Sequence, residues 1–141
     1  MSINYFAEDI SIPKIKRRLT SGWIKNTIVS EGKFPGDISF IFCSDDYLLD
    51  VNRKFLQHDY FTDIITFDYV EHGQVNGDIF ISVDRVKENA GMFSKTFENE
   101  LNRILIHGIL HLLGYKDKEK RDKELMTERE DFYLNRLDEI K

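Results

Sequence analysis

Residues 62–84 read TDIITFDYVEHGQVNGDIFISVD. The first nine, TDIITFDYV, are rich in β-branched and aromatic side chains and read as a strand. EHGQVNG follows as a turn, and GDIFISVD over 77–84 reads as a second strand, handing over to a helix through 82–93. Both strands are read as members of one sheet.

The rest of the chain builds outward from these two strands. INYFAE (3–8) alternates enough for a strand, and DISFIFCS (37–44) supplies another. Pro13 suits a helix start, where its missing N–H does no harm. Ile15, Leu19, Trp23, Ile24 and Ile28 then mark a helix over 14–31 that Gly32 ends. Ser44, with Asp45 and Asp46 behind it, is an N-cap and acidic first turn for a helix over 44–55. KTFENELNRILIHGILHLL (95–113) reads as a long helix and 118–140 as an amphipathic one. There is no repeat, low-complexity segment or linker. The order β-α-β-α-β-β-α-α-α predicts one α+β domain over 1–141, a four-stranded mixed sheet with about five helices packed on it.

A chain of 141 residues, 41% hydrophobic and 32% charged, has the balance of a soluble domain with a sizeable core. The formal net charge of −5 argues against a protein that coats nucleic acid. KIKRR (14–18), Arg53–Lys54, and Lys116, Lys118, Lys120, Arg121 and Lys123 are locally basic; they are solvated helix faces or a strip that follows an RNA backbone. No apolar run approaches the roughly 18–20 residues of a membrane span, and the N-terminus has no apolar signal region. Cys43, the single cysteine, makes no internal disulfide, which points to the cytoplasm.

The chemistry concentrates in HGILHLLGYKD, residues 107–117. His107 and His111 are one turn apart on one helix face, so both rings can aim at one point. Gly114 can take a positive φ and end the helix, and Asp117 can swing back towards the shared point. Two nitrogens and a carboxylate oxygen with a fourth position open are the donor set of a catalytic zinc site. The alternative is two core histidines beside a surface aspartate. A zinc peptidase would carry its general-base glutamate where Gly108 stands. A non-haem iron triad has a similar donor set but usually sits on a barrel with more strands than this chain has.

HGILHLLGYKD resembles the H-G-x-L-H-L-x-G-Y-D-H signature of the YbeY family of bacterial rRNA maturation factors. LDVNRKFLQHDYFTDIITFDY (49–69), GDIFIS (77–82), and Met126 with Glu130 resemble further segments of that family in the same order. The resemblance implies a single-strand-specific endoribonuclease in 3′-end maturation of small-subunit (16S) rRNA and in ribosome quality control. It also implies one Zn²⁺ held by three histidines, and contact with the small ribosomal subunit and an assembly GTPase. Two positions depart from the pattern. Asp117 stands where the third histidine is expected, which keeps the donor count, leaves a bound Zn²⁺ with less net charge, and admits another divalent metal. Leu56 stands where an arginine is expected, removing a cation that could grip a phosphate. A metal-stabilised assembly factor with little nuclease activity, or a zinc hydrolase of another substrate class, are the alternative functions.

The metal ligands expected are therefore His107, His111 and Asp117. Two candidates stand beside them for catalysis. His58 lies in the segment that, by the resemblance, lines the same cleft with Thr62 and Asp63, and an imidazole there can act as acid or base near neutral pH. Arg103, four residues before His107, can hold a phosphate in the place of the missing arginine, or else pair with Glu98 or Glu100 at the helix edge. Of the aromatics Phe55, Tyr60, Phe61, Phe67 and Tyr69, some can stack unpaired bases, and most are expected in the core.

Overall fold

The computed structural model describes residues 2–141. Its strands are β1 (Ile3–Ala7), β2 (Phe34–Cys43), β3 (Ile64–Asp68) and β4 (Gln74–Ser82). Its helices are α1 (Arg17–Ser30), α2 (Asp45–Leu56), α3 (Val83–Met92), α4 (Phe97–Leu112) and α5 (Lys120–Ile140). They form the expected α+β arrangement, a single four-stranded mixed sheet in the order β1-β2-β4-β3. β1 and β4 run parallel to β2, and β3 pairs antiparallel with β4.

The strand alternation sorts side chains onto two faces. Ile38, Phe40 and Phe42 of β2 and Ile79 and Ile81 of β4 join α1, α4 and α5 in the main core. Cys43, Ile65, Phe67 and Phe80 turn to the other face and pack against Leu48 and Val51 of α2. α5 buries a stripe of Met126, Glu130, Tyr133 and Leu137, at helical spacing with one acid in it. The Trp23 indole N–H donates to the Tyr133 carbonyl at 2.8 Å and ties α1 to α5.

Several element boundaries differ from the sequence reading: β2 starts at Phe34, three residues before the expected strand, and β3 is confined to Ile64–Asp68. The first helix begins at Arg17, not at Pro13. Ile10, Ile12 and Ile15 instead pack on the core from a non-helical lead-in, and a residue before proline is biased to extended backbone. The hairpin turn is also shorter than EHGQVNG. His72 and Gly73 both have positive φ, 52° and 78°, as a two-residue hairpin turn requires. Strand pairing therefore resumes at Gln74, and 74–76 belong to β4. The Ser44 cap is as expected, its hydroxyl accepting from the Tyr47 amide.

Candidate metal centre and cleft

α4 crosses the sheet closely. A Cβ at Gly108 would lie 3.0 Å from Ile64 and 3.1 Å from Ile79, so the residue after His107 faces the sheet and has no room for a side chain. The sheet therefore leaves no space at that position for the side chain of a general base. Buried Ile104, Leu105, Ile109 and Leu110 hold α4 down, while His107 and His111 stay partly exposed along its outer side.

The helix ends as the glycine requires. Gly114 has φ 103°. Its amide donates to the His111 carbonyl, and the Tyr115 amide reaches back to Leu110, both at 3.0 Å. This reversal carries Asp117 back over the helix end. His111 Nε2 lies 3.0 Å from His107 Nε2 and 3.1 Å from Asp117 Oδ2. His107 Nε2 lies 3.3 Å from the same Oδ2.

This triangle fits a divalent metal. With bonds of 2.0–2.1 Å, donors on one face of a tetrahedron are about 3.3 Å apart. On one face of an octahedron with bonds of that length they are about 3.0 Å apart. The observed edges bracket both, so the donor spacing suits zinc without selecting it. Three donor atoms of one histidine pair and one carboxylate lie within 4.8 Å of one another, at the rim of a cleft.

The cleft also orients His107. Its Nδ1 lies 2.6 Å from Oε2 of Glu130, an acid of α5 that is only 6% exposed. With Nδ1–H donated to this carboxylate, the Nε2 lone pair is free to face the other two donors, the usual arrangement for a metal-binding histidine. Burial opposes protonation of His107, but the Glu130 carboxylate, followed by Asp117 and Asp63, raises its pKa above the ordinary value.

Arg103 is in the cleft but pairs with neither Glu98 nor Glu100. Its Nη1 donates to Glu130 Oε1 at 2.8 Å and its Nη2 to Asp131 Oδ1 at 2.6 Å. The fork expected to grip a phosphate is thus engaged with two carboxylates of α5, one of which holds His107. His58 is placed elsewhere: it is exposed, its ring stacks on Tyr60 at 5.1 Å, and it is not among the residues that line the cleft. Of that segment, Asp63 does line it. Burial raises the Asp63 pKa, with His107 opposing. The aromatics divide: Phe55, Tyr60, Phe61 and Tyr69 are exposed, and Phe67 packs under α2.

The cleft has a volume of 610 Å³ and is also lined by Asn89 of α3, Phe93 just after α3, Glu100 of α4 and Lys123 of α5. The sequence reading did not assign these, nor the role of Glu130. For Glu130 a signal existed, an acid on the otherwise apolar stripe of α5.

Fold and site define a class: a small α+β protein whose buried helix presents two histidines and a following aspartate as an open, cleft-facing donor set. The family model described as Endoribonuclease YbeY matches residues 3–138, and this chain belongs to that family. A protein of Parabacteroides distasonis called Endoribonuclease YbeY is 53% identical over 139 residues, covering 99% of this chain and 98% of its own. One of the same name from Bacteroides thetaiotaomicron is 50% identical over 130 residues, covering 92% and 95%. A solution structure of a Thermotoga maritima protein shares the fold with a TM-score of 0.68 at 29% identity, covering 96% of this chain and 89% of its own.

Proposed function

We propose that residues 1–141 form one metal-dependent, single-strand-specific endoribonuclease domain, a hydrolase of phosphodiester bonds that acts in the 3′-end maturation of small-subunit rRNA. The observation that carries this reading is the donor triangle of His107, His111 and Asp117 opening on a cleft, in a chain of this family. Zn²⁺ is the metal we assign, with His107, His111 and Asp117 as its ligands. When bound, it would polarise a phosphate oxygen and lower the pKa of water.

The chain's own groups do the rest. Glu130 keeps the His107 ring in one tautomer, and Arg103 keeps Glu130 in place. Asp63 faces the same cleft from the start of β3, where a carboxylate can hold or accept a proton. Lys123 offers the cleft a cation for the RNA backbone. His58 stays outside this set. The single-stranded rRNA substrate, docking on the small ribosomal subunit, contact with an assembly GTPase, a role in ribosome quality control and a cytoplasmic location follow from the resemblance. No helix is long and apolar enough to cross a membrane.

A second reading has an observation in its favour. The cleft carries Asp63, Glu100, Asp117 and Glu130 against Arg103 and Lys123, and Arg103 is already engaged. So poor a phosphate grip suits an assembly factor with little nuclease activity. Incubation of purified protein with a single-stranded RNA, with and without chelator, separates the two. The enzyme reading expects cutting that chelator stops and that Asp117→Ala lacks. Intact RNA with metal-loaded protein would leave the assembly factor.

A further inference from the structure

Glu100 lies on α4 seven residues before His107, about 10 Å along the helix axis. It is 8% exposed and lines the cleft. Among the described residues its carboxylate has no hydrogen-bond partner, because Arg103, one turn further on, donates to Glu130 and Asp131 instead. Burial raises the Glu100 pKa, and the Arg103 charge opposes that rise. The Glu100 oxygens are not sealed off, since Arg129 Nε is the one fully buried side-chain polar atom without a partner among the described residues, so the carboxylate is open to a ligand that brings N–H donors.

α3 packs against α4 and brings an aromatic side chain to the same cleft. Phe93 caps α3, lines the cleft and is 60% exposed. Its amide is bonded to the Asn89 carbonyl at 3.0 Å, and Ser94 turns away at φ 53°, which fixes where the ring starts. The Asn89 side chain lines the cleft one turn earlier. An aromatic face, a carboxamide and an unmatched carboxylate make up the equipment that binds a flipped-out base.

We propose that Phe93, Asn89 and Glu100 form a nucleobase pocket that takes a guanine of single-stranded RNA next to the phosphate at the histidine end. The inference rests on the RNA-cleaving reading of the cleft. Guanine is the base a carboxylate selects: its N1–H and N2–H point the same way and satisfy both oxygens at once. Adenine, cytosine and uracil each set an acceptor beside their donor on that edge, and a carboxylate repels it. Phe93 contributes stacking to any base, so it supplies affinity while Glu100 supplies choice.

The test uses the full zinc-loaded chain and 2′-fluoro-modified strands, whose integrity is checked on a gel after each titration, so that binding is read without cleavage. Four labelled oligouridines that differ only in a central G, A, C or U are titrated by fluorescence anisotropy. The guanine strand should bind about tenfold tighter than the others, the scale of one bidentate base contact. Glu100→Gln should abolish the guanine preference, since a carboxamide matches a base that sets an acceptor beside its donor, with adenine foremost because the larger ring system stacks better on Phe93. Phe93→Ala should weaken the guanine and adenine strands alike. Equal affinity for all four strands would overturn the pocket and leave RNA binding standing. Binding of none would overturn the pocket together with the endoribonuclease reading. Unchanged guanine preference in Glu100→Gln would remove Glu100 from the base. The wild-type ranking decides the case even if a variant fails to fold.

Discussion

Glu130 Oε2 lies 2.6 Å from His107 Nδ1, a contact between residues 23 apart in sequence. This bond decides which ring nitrogen of His107 faces Asp117 and His111. Removing it should cost metal affinity 10–100-fold, the usual effect of losing an outer partner of a histidine ligand. Chelator competition should rank wild type above Glu130→Gln and Glu130→Ala below both. Equal zinc affinity in all three would show that His107 is oriented without its carboxylate.

Asp117 contributes the one oxygen of the donor triangle. Two imidazoles alone leave a metal ion mostly hydrated, so Asp117→Ala protein should emerge from dialysis with little metal. Asp117→His should keep it. Elemental analysis reads both, and full metal content in Asp117→Ala and His107→Ala together would reject the ligand set.

Arg103 is held between a buried and an exposed acid. Arg103→Ala leaves the Glu130 carboxylate buried with one partner fewer, and should destabilise the fold by about 1–3 kcal/mol. Arg103→Lys restores the charge without the fork and should fall between. Asp131 is 54% exposed at its side chain, so Asp131→Ala should cost under about 1 kcal/mol. Urea unfolding measures all three, and an Asp131→Ala loss as large as that of Arg103→Ala would contradict the assignment of the buried pair as the stronger one.

Glu31, just past the end of α1, is a hub for the far side of α5. It accepts from the Tyr115 hydroxyl at 2.6 Å, from Arg129 Nη2 at 3.1 Å, and from the Tyr133 hydroxyl. Burial alone would raise its pKa, but these donors outweigh it and hold the pKa below the ordinary 4.5. A depressed carboxyl pKa gives stability that is present above 4.5 and is lost as pH falls through the lower folded value. Urea midpoints measured from pH 6 downward should drop in that range for wild type and drop less for Glu31→Gln. Parallel curves would rule Glu31 out as the titrating group.

Cys43 is fully buried between β2 and α2. Burial, with Asp9, Glu8, Asp45 and Asp84 adding negative charge, pushes its thiol up to about 12. At pH 8 the native protein should resist iodoacetamide, because only the thiolate reacts. Alkylation should become fast in denaturant, and mass spectrometry reads the difference. Prompt labelling of folded protein would mean that α2 lifts readily from the sheet.

The histidine centre was legible because it is local. His107, His111, Gly114 and Asp117 fall within eleven residues, and helix geometry plus one positive-φ glycine brings them together with no help from the rest of the chain. The strands were legible for a related reason: runs rich in β-branched and aromatic residues mark them locally, although the turn between β3 and β4 proved to be His72–Gly73 alone. Where local rules compete with packing, the reading slipped. Pro13 looked like a helix start, yet Ile12 and Ile15 reach the core from non-helical chain. Arg103 looked for an acid on its own helix, yet α5 lies against α4 and brings Glu130 and Asp131 to it.

By itself the sequence determined the elements, the order in which they follow, the donor triad and the glycine turn that closes it, all of which depend on spacings of a few residues. Only the tertiary structure decided which carboxylate orients His107, where the Arg103 fork goes, that Asp63 faces the cleft while His58 does not, and that the Glu100 carboxylate lines the cleft with no hydrogen-bond partner among the described residues. Those facts depend on how α3, α4, α5 and the sheet edge pack. Packing is set by the sum of many weak apolar contacts across the chain, which no short stretch of sequence contains.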